Sequence, residues 1–204
     1  MCSNEISVDE TVWLARKREF LKRIERDLRI GYFDKEVLDL VLLINDFDFA
    51  YTTSSCSGRI VVYEGSAPWF TGDIRILYKT HNEIELEVIK QVIENTNNVW
   101  LSLQPPILHI NFKRLDLAIK VLHDARNIGF KHSGIISATS RGIILQLRST
   151  EHLDIPLKIN GMIVYSNEVL EKLISMINDI LIRSKYKLKL LEEYFRKLKE
   201  SSHV

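Results

Sequence analysis

Residues 51–60 read Tyr-Thr-Thr-Ser-Ser-Cys-Ser-Gly-Arg-Ile, and no other part of the chain has small hydroxyl side chains at this density. An apolar helical run at 37–44 precedes this segment, and a β-type run begins at Arg59. The pattern therefore predicts a loop over residues 53–58. Gly58 allows a positive φ or a close approach to a ligand. Arg59 adds a planar cation that suits a phosphate or a carboxylate.

Two interpretations of this predicted loop fit its composition. Successive backbone N–H groups can form a concave anion-binding nest. Alternatively, the hydroxyl groups can hydrogen-bond to their own backbone in an ordinary turn. Cys56 is better explained as a small buried hydrophobic residue than as a nucleophile, because no base stands beside it in the sequence.

Composition and charge restrict the class of protein. The chain has 204 residues, of which 27% are charged and 46% hydrophobic, as is typical of a folded globular protein. The longest apolar run is too short to span a bilayer, and the first residues do not have the pattern of a signal peptide, so we expect a cytoplasmic protein. Neither the two cysteines nor the six histidines have metal-site spacing. We therefore expect no bound metal.

The net charge of +1 does not by itself indicate a polyanionic partner, but basic residues are concentrated in two helical segments. Residues 16–29 and 183–200 each contain seven basic residues against three acidic ones. Such stripes can follow a phosphate backbone. Solvated helix faces have the same pattern, so both interpretations stay open.

Hydrophobic periodicity and turn residues predict an α+β fold, with a mixed or antiparallel sheet and flanking helices. Ser7 and Glu10 form a predicted capping box at the start of the first helix, and the Pro105-Pro106 pair places part of one extended stretch at a sheet edge or a bulge. The predicted helices cover about 8–29, 35–46, 83–94, 115–127 and 167–200. The predicted strands cover 59–63, 73–81, 99–112, 135–138, 143–149, 154–158 and 162–165.

We expect a single domain over residues 1–204 that contains an internal duplication. One helix begins 19 residues before Ser57-Gly58, and another begins 18 residues before Ser133-Gly134. The two predicted repeat units cover about 34–97 and 98–182. The alternative to a duplication is that two helix-to-strand turns are similar by chance. The apolar positions of the long helix 167–200 have near-heptad spacing, which allows either a dimer or packing on the chain's own sheet.

Several segments resemble, in order and spacing, the tRNA wybutosine-synthesizing protein 3 family. These segments are 52–60, Thr80-His81, 105–110, 129–135, 147–150 and 155–157. The resemblance covers about residues 30–195. The chain departs from the family pattern at Ser102 and Gln104, where charged residues are usual, and at His132, where asparagine is usual.

The resemblance implies a methyltransferase without the usual Rossmann fold. Members of the family use S-adenosylmethionine to methylate a guanosine-derived tricyclic base beside the anticodon of phenylalanine tRNA. The chain would then bind the anticodon loop of that tRNA. The competing hypothesis is a non-catalytic RNA-binding module that presents the modified tRNA to another enzyme. A small enzyme for a phosphate ligand is disfavoured, because no metal or nucleophile set supports it.

Together with the resemblance, these motifs give a hypothesis for the site residues. Two histidines are candidates for the catalytic residue, and either His81 or His109 is expected to contact the base and to take up its proton. Four residues are expected to bind the methyl donor or a phosphate, and these are Ser55, Ser57, Gly58 and Arg59. Five residues are expected to bind the RNA substrate, and these are Lys131, Ser133, Gly134, Arg141 and Arg148.

Overall fold

A computed structural model of the chain describes residues 7–68 and 71–201. Within these residues the chain forms two compact units, each assembled from separated segments. The first unit comprises 7–57, 106–150 and 187–201, and the second comprises the described residues of 58–105 and 151–186. The single domain and the internal duplication predicted from the sequence stay predictions.

The helices and strands lie close to their predicted positions. The helices are α1 (Glu10–Arg29), α2 (Leu38–Asn45), α3 (Leu86–Ile93), α4 (Leu115–Ile128) and α5 (Asn167–Ser201). The strands are β1 (Ala50–Cys56), β2 (Arg59–Glu64), β3 (Arg75–Thr80), β4 (Val99–Gln104), β5 (Ile107–Phe112), β6 (Gly134–Thr139), β7 (Gly142–Arg148), β8 (Leu153–Ile159) and β9 (Met162–Ile163).

The first unit contains a four-stranded antiparallel sheet with the order β1-β5-β7-β6. Alternate residues along β5, such as Leu108 and Ile110, point to one face and are fully buried. That face packs against α2, α4 and the end of α5, where Leu191 and Phe195 enter the same core. His109 lies between Leu108 and Ile110 and so faces the other side of the sheet.

The second unit contains a five-stranded antiparallel sheet with the order β3-β2-β4-β8-β9. Its core includes Ile89 of α3 and Ile177 and Leu181 from the first part of α5. Lys158 is buried beside this core, and its Nζ donates to the carbonyls of Ile93 (2.9 Å) and Glu94 (3.2 Å). A cation at this position satisfies carbonyls at the C-terminal end of α3 and complements the helix dipole.

The α+β fold is confirmed, and of the two sheet types that were predicted, the antiparallel one is present. Every pair of adjacent strands is antiparallel among the described residues, so the parallel sheet of a Rossmann fold is excluded there. Helix α5 contributes residues to the cores of both units. Ser184 lies within this helix, and its buried hydroxyl donates to the Leu181 carbonyl (2.7 Å). No helix in the ranges 7–68 and 71–201 has a stretch long and apolar enough to cross a bilayer.

Three local predictions were wrong. Asp9 rather than Ser7 caps α1, since its Oδ1 accepts from the Val12 N–H (3.1 Å). The proline pair lies neither at an edge nor at a bulge, because it separates β4 from β5, which are interior strands of different sheets. The predicted loop over 53–58 is strand β1 as far as Cys56. Pairing with β5 overrides the turn tendency of the Ser/Thr run.

A buried polar network ties α1 to the turn between β6 and β7. The Nε1 of Trp13 donates to Oδ1 of Asn111 (3.0 Å), and the Asn111 amide donates to the Arg141 carbonyl (3.3 Å). The neighbouring Gly142 has φ +122°, and a Cβ added there would lie 1.8 Å from Asn111 Oδ1. Glycine is therefore required at position 142 both by the backbone conformation and by the space that Asn111 occupies.

We expect Gly142→Ala to lower the free energy of unfolding by about 2–4 kcal/mol, because the methyl group must displace Asn111 while the backbone stays strained. The measurement is urea denaturation followed by circular dichroism. Gly134→Ala, in the same hairpin, is the matched control, since a methyl group there meets no atom within 4 Å. Equal stabilities for the two variants would contradict this account of the turn.

Candidate active site

A row of polar side chains crosses the first unit's sheet on the face opposite its core. Ser54, His109, Gln146 and Gly134 lie directly opposite one another on β1, β5, β7 and β6. The Ser54 Oγ lies 2.6 Å from His109 Nδ1, and the His109 Nε2 lies 2.9 Å from Gln146 Oε1. We call these four residues the polar row. It places an imidazole between two hydrogen-bonding side chains, in an arrangement that could accept a proton.

A β-bulge in each edge strand borders the polar row. In β1 the register shifts between Thr52 and Ser54, so that Thr53 is the extra residue. In β6 it shifts between Ile135 and Ser137. Bulges redirect side chains and are common beside active sites. Because of the bulge in β1, the exposed Ser54 rather than Thr53 stands opposite His109.

Gly134 is the β6 end of the polar row, and Ser54 is its β1 end. An added Cβ at Gly134 would meet no atom within 4 Å, so the space above this position is open.

His81 lies in the second unit, directly after β3. Its Nδ1 is 2.8 Å from the carbonyl oxygen of Gly58. A carbonyl can only accept, so Nδ1 carries a proton and a neutral His81 has its lone pair on Nε2. A backbone carbonyl on Nδ1 is a common way to orient a functional imidazole. Of the two uses of Gly58 that the sequence allows, the positive φ is present, at +94°.

Arg59, the first residue of β2, is paired with Gln104 of β4. The Arg59 Nε donates to Gln104 Oε1 at 2.6 Å. Gln104 is one of the positions that depart from the family pattern. Because this partner is neutral, the bond orients the guanidinium without cancelling its charge, which leaves Arg59 able to bind an anion.

The structure limits the anion-nest interpretation of the hydroxyl-rich segment. Ser55 is part of β1 and stands opposite Leu108, on the core side of the sheet. The Ser57 N–H donates to Oδ2 of Asp34 at 2.6 Å. The predicted nest over the loop 53–58 is therefore wrong for most of its length, since residues 53–56 form a strand and a carboxylate already accepts the Ser57 amide.

The residues predicted to bind RNA all lie in the first unit, but in different surroundings. The Ser133 hydroxyl accepts from the Arg148 N–H (3.0 Å), so it holds the turn before β6 against β7. Arg148 is half-buried on the same face as His109, two residues beyond Gln146. Lys131 and Arg141 are exposed in turns. None of these three cations forms an ion pair within the described ranges.

Two residues of the polar row, Ser54 and Gln146, were not among the predicted site residues. Ser54 stood in the quoted segment, but its position opposite His109 depends on a bulge that composition does not indicate. Gln146 lies in an apolar strand, and a single polar residue on one face of such a strand could have indicated a site residue. The structure places His109 with Gly134 in the first unit, and His81 with Gly58 and Arg59 in the second.

Comparison with known proteins identifies the family. The family model described as Methyltransferase TYW3 matches residues 15–197. The tRNA(Phe) 7-((3-amino-3-carboxypropyl)-4-demethylwyosine(37)-N(4))-methyltransferase 1 of Pyrococcus horikoshii is 38% identical over 180 residues, which are 86% of this chain and 91% of the relative. A Saccharolobus solfataricus enzyme with the same name but no final number is 31% identical over 185 residues, which are 89% of this chain and 88% of the relative.

Two solved structures are similar to this chain in both fold and sequence. A protein from Pyrococcus horikoshii superposes with a TM-score of 0.86 at 35% identity, over 91% of this chain and 97% of that one. A hypothetical protein from Aeropyrum pernix gives a TM-score of 0.74 at 32% identity, over 81% of this chain and 98% of that one. The chain therefore belongs to the methyltransferase TYW3 family, as the sequence resemblance predicted.

Proposed function

We propose that the chain transfers a methyl group from S-adenosylmethionine to N4 of a 7-(3-amino-3-carboxypropyl)-4-demethylwyosine base at position 37 of tRNA(Phe), in the cytoplasm. The observation that carries the proposal is the match to relatives named for this reaction, which extends over most of both chains. The polar row adds a physical reason, since a half-buried imidazole that is hydrogen-bonded to the exposed Ser54 can take up the proton that the base loses.

Methyl transfer to a ring nitrogen makes two demands on the protein. S-adenosylmethionine supplies an electrophilic methyl carbon on a sulfonium. The protein must hold the acceptor nitrogen in line with that carbon, at about 3–3.5 Å. It must also provide a group that takes up the N–H proton. No covalent nucleophile is needed, and we assign no chemical role to Cys56.

The charge of Arg59 fits the methyl donor. Arg59 keeps a net positive charge beside the neutral Gln104 and suits the donor's carboxylate. Gly58 allows close backbone approach at the start of the same strand as Arg59. Ser55 and Ser57 remain candidates through their hydroxyl groups.

Charge distribution supports tRNA binding by the first unit. Over its described residues that unit carries 20 basic and 15 acidic residues, a net charge of +5, whereas the second carries 8 and 11, a net charge of −3. The segment 106–150, which supplies β5, β6 and β7, accounts for seven basic residues against two acidic ones. It includes Lys131, Arg141 and Arg148, which form no ion pair with any described residue. An excess of cations in one segment attracts RNA phosphates.

The basic stripe on α1 is a weaker candidate for RNA binding. Arg23 and Arg26 both pair with Asp27 (3.3 and 3.1 Å). Lys17 donates to the carbonyl of Phe47, and burial lowers its pKa. Much of this stripe is therefore engaged within the first unit, which favours the strand segment as the phosphate-binding surface.

The proposed reaction is tested with tRNA(Phe) from a strain that lacks this methylation step. Incubation with the chain and S-adenosylmethionine should add the mass of one methyl group to a nucleoside at position 37. Calorimetry should show a saturable site for the donor. Donor binding that stays undetectable even with tRNA present would contradict the proposal and favour the RNA-binding module.

We expect Arg59→Ala to weaken donor binding by about ten- to a hundredfold, because a charge-assisted bond to the carboxylate is lost. The measurement is calorimetric titration with S-adenosylhomocysteine, which retains the carboxylate. Arg75→Ala is the matched control, since Arg75 lies on the neighbouring strand and pairs with Glu64 (2.6 Å) at the surface. If both variants bind with wild-type affinity, Arg59 does not hold the donor.

A further inference from the structure

The polar row has a defined direction of hydrogen bonding. Gln146 Oε1 can only accept, so the bond at 2.9 Å requires a proton on His109 Nε2. A neutral His109 then has its lone pair on Nδ1. That lone pair accepts from the Ser54 hydroxyl at 2.6 Å. Each group in the row therefore fixes the proton position of the next.

Ser54 is the member of this row that is open to a substrate. It is exposed, whereas His109 and Gln146 are half-buried between neighbouring strands. Both ring nitrogens of His109 are already engaged, so a substrate N–H does not meet an unshared lone pair on the ring. The Ser54 oxygen still has lone pairs of its own, because a hydroxyl both donates and accepts.

We propose that Ser54, His109 and Gln146 form a proton relay for the methyl transfer, an inference that rests on the proposed function. Ser54 is the catalytic residue that touches the acceptor nitrogen. His109 does not touch the acceptor nitrogen, and it receives its proton from the Ser54 hydroxyl. Gln146 is a positioning residue that holds His109 in the tautomer able to receive that proton.

The atoms and charges of this step balance. A bond forms between the methyl carbon and the acceptor nitrogen, and the bond between that carbon and the donor sulfur breaks. The acceptor's N–H proton passes to Ser54 Oγ, while the hydroxyl proton of Ser54 passes to His109 Nδ1. The positive charge that began on the sulfonium ends on the imidazolium, whose two N–H groups then donate to Ser54 and Gln146.

Few ionisable groups of the first unit adjoin His109. On the same face of the sheet, Cys56 follows Ser54 by two residues and Arg148 follows Gln146 by two. Tyr51 lies at one end of this face. The ring of Trp13 in α1 packs on the ring of Tyr51, with the two centroids 4.8 Å apart. His132 lies in the turn before β6, where its N–H donates to the Arg148 carbonyl (3.1 Å). Within the described first unit no carboxylate is hydrogen-bonded to His109, so Gln146 holds the ring as a neutral acceptor.

The first test compares serine variants in single-turnover methyl transfer at saturating donor and tRNA. Ser54→Ala should slow the transfer about a hundredfold, in line with the usual contribution of acid–base catalysis. Ser54→Thr, which keeps a hydroxyl, should recover most of the rate. Ser137→Ala is the matched control, because Ser137 stands opposite Ile144 in a neighbouring row of the same face. A wild-type rate for Ser54→Ala would overturn the relay.

The second test determines the tautomer of His109 by NMR spectroscopy, in the protein without donor or tRNA. Long-range ¹H–¹⁵N spectra of the histidine rings should show His109 protonated at Nε2, whereas His81 should be protonated at Nδ1. Gln146→Leu should remove the preference at His109. Finding His109 with its proton on Nδ1 in the wild-type protein would overturn the proposed direction of transfer.

The pH dependence separates a positioning role for Gln146 from a structural one. Gln146→Glu places a carboxylate beside the His109 imidazolium and stabilises that charged form. The acid limb of the pH profile of the methyl-transfer rate should therefore move to higher pH by about one unit. An unchanged profile in a folded, active Gln146→Glu variant would contradict the relay. If the wild-type chain methylated no tRNA at all, the proposed function would fail instead, while the tautomer result would stand independently.

Discussion

The pairing register between β1 and β5 is the constraint on which the candidate site depends. One extra residue, Thr53, separates the pairs Thr52–Ile110 and Ser54–His109. In a regular ladder Thr53 would stand opposite His109 and Ser54 would turn to the core. Upstream of the bulge, Asn45 fixes the register, because its Oδ1 accepts from the Thr52 N–H (3.0 Å) and its amide donates to the Thr52 hydroxyl (2.8 Å). A buried asparagine therefore anchors the residue directly before the bulge.

The two histidines expected to take up the base's proton are held in different ways. His81 donates through Nδ1 to a backbone carbonyl, so its neutral ring has the lone pair on Nε2. His109 donates through Nε2 to a side chain and accepts through Nδ1 from Ser54. His109 is linked through the Ser54 hydroxyl to an exposed position on its own sheet. This linkage favours His109 as the proton acceptor.

Much of the fold follows from hydrophobic period and turn chemistry. The long amphipathic helices, the Asn160-Gly161 turn and the antiparallel hairpin of β2 and β3 are of this kind. The strand character of residues 53–56 did not follow, because serine and threonine give no apolar period there. Register and bulges depend on the partner strand, so Ser54 could not be assigned from the chain alone. The quoted segment nevertheless identified the family, because its spacing relative to the later segments is distinctive.

The most direct test of this account is a crystal structure of the chain with S-adenosylhomocysteine and an anticodon stem-loop that contains the demethylwyosine base. The acceptor nitrogen should lie within hydrogen-bond distance of Ser54 Oγ, about 2.6–3.2 Å, with His109 still bonded to Ser54 and Gln146. An acceptor nitrogen bound elsewhere, with Ser54 facing only solvent, would contradict the central claim.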